Sequence, residues 1–196
     1  MNRKTILVDL DNVVYDWVHA MSVWLLNNNA VTGFTTPEEM NAVYDSWYVW
    51  ENWGMSAGEF MRWWRLGVEA EVIYAQGLLI PGARDALWQL SDAEWDIHIA
   101  TNRLTKFGLN ATVAHNTVNW LHAANIPYRQ LSLVSDKKAI WADAIVDDRA
   151  DNMDDEGPHG RAYLFPANHN KGRVVTADEQ VSNWEEIVKD LGEGSV

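Results

Sequence analysis

Two aspartates one residue apart interrupt an apolar stretch near the start of the chain. Asp9 and Asp11 lie in ILVDLDNVV, which otherwise has the β-branched, apolar composition of a buried parallel strand. Ionised carboxylates are costly to bury without partners, so a core strand does not normally carry two of them. A single D-x-D is typical of a turn or a helix cap, and the rest of the chain must decide whether this pair does chemistry.

Polar side chains also follow three later apolar stretches. Thr101 and Asn102 follow IHIA, Lys137 comes just after LSLVS, and Asp147 and Asp148 follow AIV. Taken singly, Thr101 suits a helix N-cap, Lys137 suits a solvated surface, and the aspartate pair suits either a metal site or a loop. Ligands of an open parallel sheet collect at the carboxyl ends of its strands, so the joint pattern predicts one site.

The carboxylates of this predicted site need a cation. Asp9, Asp11, Asp147 and Asp148 would repel one another if they were brought together without one. These motifs contain no histidine or cysteine, and ligation by oxygen alone fits Mg²⁺. The sequence therefore predicts a magnesium site at the ends of the strands.

The elements that position these side chains are predicted from apolar periodicity and from helix-end signals. Strands are predicted at 5–9, 95–101, 131–135, 144–147 and 161–165. Helices are predicted at 15–28, 36–48, 56–70, from just after Pro81-Gly82, at 108–124 and at 178–191. Ser56 and Glu59 form a capping box, and Pro37 suits a first helical turn. Strands that alternate with helices from residue 78 onward predict an α/β fold around a parallel sheet, with a helical insert after the first strand.

Composition limits the class of protein. The formal net charge of −13 over 196 residues argues against a nucleic-acid polymer as the main partner, because such proteins usually present a basic face. The chain has no cysteine, so it has neither disulfides nor thiolate metal sites. Asp9 interrupts the N-terminal apolar run too early for a signal peptide, and no stretch is long enough to span a membrane. These features predict a soluble, cytoplasmic protein.

The four strand-end motifs, in this order, resemble those of the haloacid dehalogenase (HAD) superfamily of phosphotransferases. The more detailed resemblance is to its 5′(3′)-deoxyribonucleotidases, and residues 25–75 carry little of it. The segments that carry the resemblance are ILVDLDNVVYDW, LLIPGARDALWQL, IHIATN, SDK, AIVDDRADN, YLFPANHN and NWEEI. The resemblance implies a Rossmann-like three-layer α/β/α core formed by residues 1–14 and 78–196. It also implies a small helical cap, inserted as residues 15–77.

The resemblance implies a role for each motif residue. Asp9 corresponds to the nucleophile that forms an aspartyl-phosphate, and Asp11 to the general acid and base. The Mg²⁺ ligands would be the Asp9 carboxylate, the backbone carbonyl of Asp11 and Asp148. Asp147 would lie beside the metal, although the choice within this pair rests on the family alone. Thr101, the backbone N–H of Asn102 at a helix start and Lys137 would bind the phosphate.

Two features of the sequence bear on the choice of substrate: the tryptophans of the insert, and Asn12 just before it. Seven of the twelve tryptophans lie between residues 15 and 77, and Trp17 matches an aromatic position that holds the base in the family. The excess of rings fits a ligand pocket, cap packing or a homodimer contact. The family usually has glycine where this chain has Asn12. Asparagine tolerates the left-handed backbone that such a glycine adopts, and it adds a side chain at the mouth of the site.

The leading hypothesis is a Mg²⁺-dependent 5′-nucleotidase acting on deoxyribonucleoside or ribonucleoside monophosphates. The closest alternative is the same chemistry on another small phosphomonoester, such as a sugar phosphate. Another alternative is a glycosyltransferase that uses D-x-D to bind a metal and a nucleotide sugar. In that case the polar residues at the other three strand ends would be a coincidence. A non-catalytic binding module would be expected to lack one of Asp9, Asp11, Thr101 or Lys137, and all four are present.

Overall fold

A six-stranded parallel sheet forms the centre of the computed structural model, which describes residues 3–104, 108–153, 159–172 and 179–193. The strands are β1 (Lys4–Val8), β2 (Tyr15–Asp16), β3 (Leu78–Leu79), β4 (Trp95–Thr101), β5 (Gln130–Leu133), β6 (Ala142–Asp147), β7 (His159–Leu164) and β8 (Glu179–Gln180). The sheet order is β5-β4-β1-β6-β7-β8, and β2 pairs with β3 in a separate antiparallel ribbon. The predicted α/β class and parallel sheet are confirmed.

Seven α-helices accompany the strands in the described part of the chain. They are α1 (Trp17–Asn27), α2 (Pro37–Val43), α3 (Val49–Asn52), α4 (Ala57–Glu69), α5 (Ala83–Asp92), α6 (Asn110–Ala123) and α7 (Trp184–Glu193). Short 3-10 helices follow at Lys137–Ala139, Ala150–Met153 and Asn168–Asn170. The first four helices lie between β2 and β3 in the chain.

Alternate residues of the central strands divide between two apolar clusters. Ile6 and Val8 of β1 pack in one cluster with residues of α5, α6 and α7. Leu7 packs in the other, with Ile145 of β6 and the partly buried Ile140. Because β1 is apolar on both faces and lies between β4 and β6, it is the buried centre of the sheet.

Helices α1 to α4 form a further apolar cluster. It is centred on fully buried side chains such as Met21, Leu25 and Met40, and Val113 of α6 joins it. Both predicted end signals are present. Pro37 is in the first turn of α2, and Ser56 and Glu59 form a capping box before α4. Thr36 and Glu39 form a second capping box, before α2, that was not predicted.

Three predicted helices have different bounds in the structure. The helix predicted at 15–28 begins at Trp17, because Tyr15 and Asp16 pair with β3 instead. The helix predicted at 36–48 ends at Val43. Polar side chains compete with the helical backbone there, since the Ser46 hydroxyl accepts a hydrogen bond from the Tyr48 N–H. The C-terminal helix begins at Trp184, and the predicted start at residue 178 lies outside the described residues.

Candidate active site

Adjacent parallel strands bring the predicted site residues to one edge of the sheet. Asp9 directly follows β1, and its N–H donates to the carbonyl of Val146 in β6 at 2.9 Å. Carboxylate oxygens of Asp9, Asp147 and Asp148 lie within 4.8 Å of one another, and all three residues are buried. Every candidate residue named from the sequence borders the same cavity: Asp9, Asp11, Asn12, Trp17, Thr101, Asn102, Lys137, Asp147 and Asp148.

Lys137 is the buried cation of this edge. It lies in the 3-10 helix after β5, and its Nζ is 2.6 Å from an oxygen of Asp9 and 2.5 Å from one of Asp147. Burial opposes its charge, but the two carboxylates outweigh that effect and raise the pKa of Lys137 above its usual value. The side chain therefore stays charged, and it is held rather than solvated.

The Asp147 carboxylate is fully engaged by its neighbours. Besides Lys137, it accepts hydrogen bonds from the Arg149 N–H at 2.8 Å and from the Asn152 amide at 2.9 Å. Asp148 accepts a side-chain bond from Asn12 at 3.2 Å, and His169 Nε2 lies 3.7 Å from the same oxygen. Asp147 therefore holds the lysine and the following loop, while Asp148 has more ligand capacity left.

Burial is the main cause of the raised pKa values of Asp9 and Asp148, which both border the cavity. Burial, opposed by Lys137 and reinforced by Asp147 and Asp11, raises the pKa of Asp9 to about 7. Burial and the charge of Asp9 raise the pKa of Asp148 well above its ordinary value. Three buried carboxyl groups therefore share one buried lysine, and burial disfavours their ionised forms when no metal is bound.

Thr101 and Asn102 occupy a strand end rather than a helix start. Thr101 is the last residue of β4, so its predicted N-cap alternative is wrong, and α6 begins only at Asn110. The expected help from a helix N-terminus at Asn102 is therefore wrong as well. Thr101 Oγ1 is buried and has no hydrogen-bond partner in the described ranges, whereas Asn102 is exposed at the cavity. A buried hydroxyl without a partner is a donor available to a ligand.

Asn12 has the left-handed backbone expected of a position where glycine is usual. Its φ is 62°, and it is the turn residue between β1 and β2. The side chain connects two parts of the site. Its amide donates to Asp148, and its carbonyl accepts from the N–H of Val18 in α1 at 3.4 Å. Asn12 thus orients one carboxylate of the acidic cluster.

Aromatic rings also line this cavity, which has a volume of about 330 Å³. Of the seven tryptophans between residues 15 and 77, four border the cavity and three pack elsewhere in the helices. Those at the cavity are Trp17, Trp47, Trp50 and Trp64, joined by Tyr44, Phe60 and Tyr74. The cavity therefore has an acidic end at the sheet and an apolar, aromatic end at helices α1 to α4.

Two contacts of the site were not predicted from the sequence. Arg103 pairs with Asp11, with Nη2 at 2.6 Å from Oδ1, and its side chain is fully buried. His169 Nε2 lies 3.1 Å from the carbonyl of Asp148, and its ring contacts that of Trp47 edge-on. Neither residue directly follows a strand, so the rule for strand ends did not single either of them out. Arg103 directly after Thr101-Asn102 was the nearest available hint.

The chain matches known proteins along most of its length. The model of the family described as "5′ nucleotidase, deoxy (Pyrimidine), cytosolic type C protein" matches residues 3–191. A candidate 5′(3′)-deoxyribonucleotidase of Chlorobaculum tepidum is 33% identical over 153 residues, which cover 78% of this chain and 73% of that protein.

Solved structures agree with the fold. A predicted phosphatase of Clostridium acetobutylicum has a TM-score of 0.61 at 15% identity, and the match covers 98% of this chain and 100% of that one. A candidate HAD-hydrolase of Bacillus subtilis, YfnB, bound to magnesium, has a TM-score of 0.55 at 14% identity over 98% and 100% of the two chains.

The parallel sheet and these structural neighbours define a HAD-like α/β fold. The family match then identifies the narrower group, and the chain belongs to the deoxy, cytosolic type C family of 5′-nucleotidases, which are phosphomonoester hydrolases. The resemblance seen in the sequence is confirmed. None of the helices in the described ranges has the length and apolar character that crossing a membrane requires.

Proposed function

We propose that the protein is a Mg²⁺-dependent phosphatase that hydrolyses deoxyribonucleoside 5′-monophosphates. One observation carries the proposal: a buried aspartate cluster with a fixed lysine and a set of aromatic rings line the same cavity. The acidic end suits a phosphate accompanied by a metal, and the aromatic end suits a base that stacks on rings. A sugar phosphate has no base that could stack on these rings.

Asp9 and Asp11 divide the reaction between them. An Asp9 oxygen attacks phosphorus as the bond from phosphorus to the 5′ oxygen breaks, and Asp11 gives its proton to that leaving oxygen. Asp11 then takes a proton from water while the water oxygen bonds to phosphorus. The bond between Asp9 and phosphorus breaks, releasing inorganic phosphate and restoring both carboxyl groups.

Thr101 and Lys137 hold the phosphate in this scheme. The unpaired hydroxyl of Thr101 donates to a phosphate oxygen, and Lys137 neutralises charge beside Asp9. Asn102 contributes its backbone N–H from the strand end, without the help of a helix terminus. Positioning and charge compensation are the main demands of phosphoryl transfer, and these groups supply both.

The donor set fits Mg²⁺. Asp9, Asp147 and Asp148 offer only oxygens, and their charge exceeds that of Lys137. Asp9 and Asp148 would hold the ion with the carbonyl of Asp11, while Asp147 keeps Lys137 in place. When bound, Mg²⁺ neutralises developing phosphate charge and aligns the phosphorus with the nucleophile.

The proposal includes a division of labour along the chain. Residues 1–14 and 78–196 form the catalytic core, and residues 15–77 form a cap whose own apolar cluster supports this division. Trp17, at the start of α1, is the first candidate for stacking on the base. We also propose that this chain acts in the cytoplasm, where free nucleotides and Mg²⁺ are available.

A phosphatase screen tests this function. Deoxyribonucleoside 5′-monophosphates, ribonucleoside 5′-monophosphates and sugar phosphates are each assayed with Mg²⁺ and with EDTA. We expect phosphate release only with Mg²⁺, and the highest kcat/KM for a deoxyribonucleotide. Asp9→Asn should remove the activity, whereas Asp85→Asn, on the exposed surface of α5, should keep it. If folded protein with Mg²⁺ releases phosphate from none of these compounds, the proposal is wrong. A preference for sugar phosphates would favour the alternative.

A further inference from the structure

Arg103 is a fully buried cation that neither the family motifs nor the proposed chemistry employs. Its guanidinium lies between two tyrosine rings, 4.5 Å from the ring centroid of Tyr15 and 4.6 Å from that of Tyr74. Nη1 donates to the hydroxyl of Thr117 in α6 at 3.0 Å. The guanidinium is therefore held by contacts with two tyrosine rings and by a hydrogen bond to Thr117 at one edge.

The remaining edge of the guanidinium holds the carboxylate of Asp11. Nη2 donates to Oδ1 at 2.6 Å, and Nε lies 3.1 Å from both carboxylate oxygens. Asp11 is 26% exposed and borders the cavity, while Arg103 is not among the described residues that border it. The arginine therefore lies behind the aspartate, where it cannot touch a substrate in the cavity.

Burying a guanidinium is costly, and apolar side chains of similar size often give equal or greater stability. The arrangement instead gives the carboxylate one orientation. A carboxylate has about four lone-pair sites, so the contacts with Arg103 leave capacity for a proton on the cavity side. Proton transfer requires this kind of placement, because a candidate acid or base must lie within hydrogen-bond reach of the atom it serves.

We propose that Arg103 is a positioning residue that orients the Asp11 carboxylate toward the leaving oxygen and the attacking water. The proposal rests on the acid–base role proposed for Asp11. Tyr15, Tyr74 and Thr117 hold the arginine, and the arginine holds the aspartate. The opposing explanation is an ion pair that only stabilises the fold, by joining α6 and β2 to the strand ends.

Leaving groups of different strength separate the two explanations. A nucleoside leaves as an alcohol and needs a proton, whereas p-nitrophenol leaves as a stable anion without one. The ratio kcat/KM reports the steps up to release of the alcohol or phenol, so it isolates this requirement. For Arg103→Met we expect kcat/KM to fall about 100-fold for a deoxyribonucleoside 5′-monophosphate. For p-nitrophenyl phosphate we expect a fall of less than about threefold. A role confined to stability would lower both values alike.

A double-mutant cycle with Asp11→Asn gives the second readout. If Arg103 acts through Asp11, adding Arg103→Met to Asp11→Asn should change kcat/KM for the nucleotide by less than about threefold. Arg84→Met, a partly exposed arginine of α5, is the matched control and should behave as wild type. If Arg103→Met does not fold, Arg103→Lys and Thr117→Val should show the same substrate pattern with smaller losses.

The outcomes are distinguishable from failure of the proposed function. If the wild-type enzyme hydrolyses the nucleotide and the Arg103 variants lose nothing, only the positioning role is overturned. Equal losses on both substrates, or an undiminished loss in the Asp11→Asn background, overturn it as well. If folded wild-type protein hydrolyses neither phosphate ester, the phosphatase function is wrong, and the role of Arg103, which rests on it, is wrong too.

Discussion

At the scale of single residues, Asn12 shows how one side chain can serve both backbone geometry and the site. Its φ of 62° meets the demand of the turn after β1, which glycine would also meet. Its amide adds a hydrogen bond to Asp148 that glycine cannot make. Because partners of metal ligands orient them and tune their affinity, this bond should matter for Mg²⁺ more than for folding.

Asn12→Gly is therefore expected to raise the Mg²⁺ concentration that gives half-maximal activity by about tenfold. The turn should survive, since glycine accepts the left-handed backbone. The measurement is phosphate release as a function of Mg²⁺ concentration. Asn29→Gly makes the same change at another left-handed position, with a φ of 52° on the exposed surface, and should leave the Mg²⁺ requirement unchanged. An unchanged requirement in Asn12→Gly would contradict the role given to this side chain.

At the scale of elements, α4 depends on its N-terminal cap to present Phe60, Met61 and Trp64 to the cavity. Ser56 accepts a hydrogen bond from the Glu59 N–H at 3.3 Å, and the Glu59 side chain accepts from the Ser56 N–H at 3.0 Å. The cap satisfies backbone groups that a helix end otherwise leaves unpaired. It was also readable from the sequence, because the two residues have the spacing of a capping box.

Ser56→Ala is expected to lower the free energy of unfolding by about 1 kcal/mol. Urea unfolding followed by tryptophan fluorescence measures it. Ser182→Ala changes another exposed serine, outside this capping box, and serves as the matched control. Equal stability of Ser56→Ala and wild type would show that the cap contributes nothing to the fold.

The same scale shows which features the sequence can and cannot predict. Strand β4 was predicted with its observed bounds, because apolar residues occupy alternate positions of WDIHIAT until it ends in Thr101. The end of α2 at Val43 was missed, because it depends on local side-chain hydrogen bonds. Strand β2 was missed too, because it has two residues and exists only through pairing with β3.

The site likewise has residues whose placement the sequence predicts and a contact that it does not predict. Asp9, Thr101 and Asp147 lie at the carboxyl ends of apolar strands, so their convergence was predictable from the topology of a parallel sheet. The contact between Arg103 and Asp11 joins residues separated by 92 positions. It also needs two tyrosine rings from other segments, and such a contact leaves no periodic trace in the sequence.

At the scale of the whole molecule, the acidic cluster makes the free energy of unfolding of the metal-free protein depend on pH. Asp9 has a pKa of about 7 in the folded protein, mainly because it is buried, against an ordinary value of 3.8. The folded state therefore holds this proton more tightly than the unfolded state does. The resulting stabilisation is complete below the unfolded pKa and is lost as the pH rises through about 7.

In EDTA, the free energy of unfolding of the wild type should therefore fall between about pH 5 and about pH 7.5, relative to that of Asp9→Asn. We expect a relative fall on the order of 2 kcal/mol. Urea unfolding of both proteins at the two pH values measures it. Mg²⁺ should restore stability to the wild type at the higher pH, because it binds the ionised carboxylates. Parallel pH profiles of the two proteins in EDTA would contradict the burial of an uncompensated charge at Asp9.

The central claim is that Asp9 carries the phosphoryl group during hydrolysis. The most direct test is acid quenching of wild-type enzyme during turnover of a deoxyribonucleoside 5′-monophosphate with Mg²⁺, followed by peptide mass spectrometry. We predict that the peptide containing Asp9 gains the mass of one phosphoryl group, located on Asp9, and that Asp9→Asn gains none. A phosphoryl group on another residue, or continued turnover by Asp9→Asn at the wild-type rate, would contradict the claim.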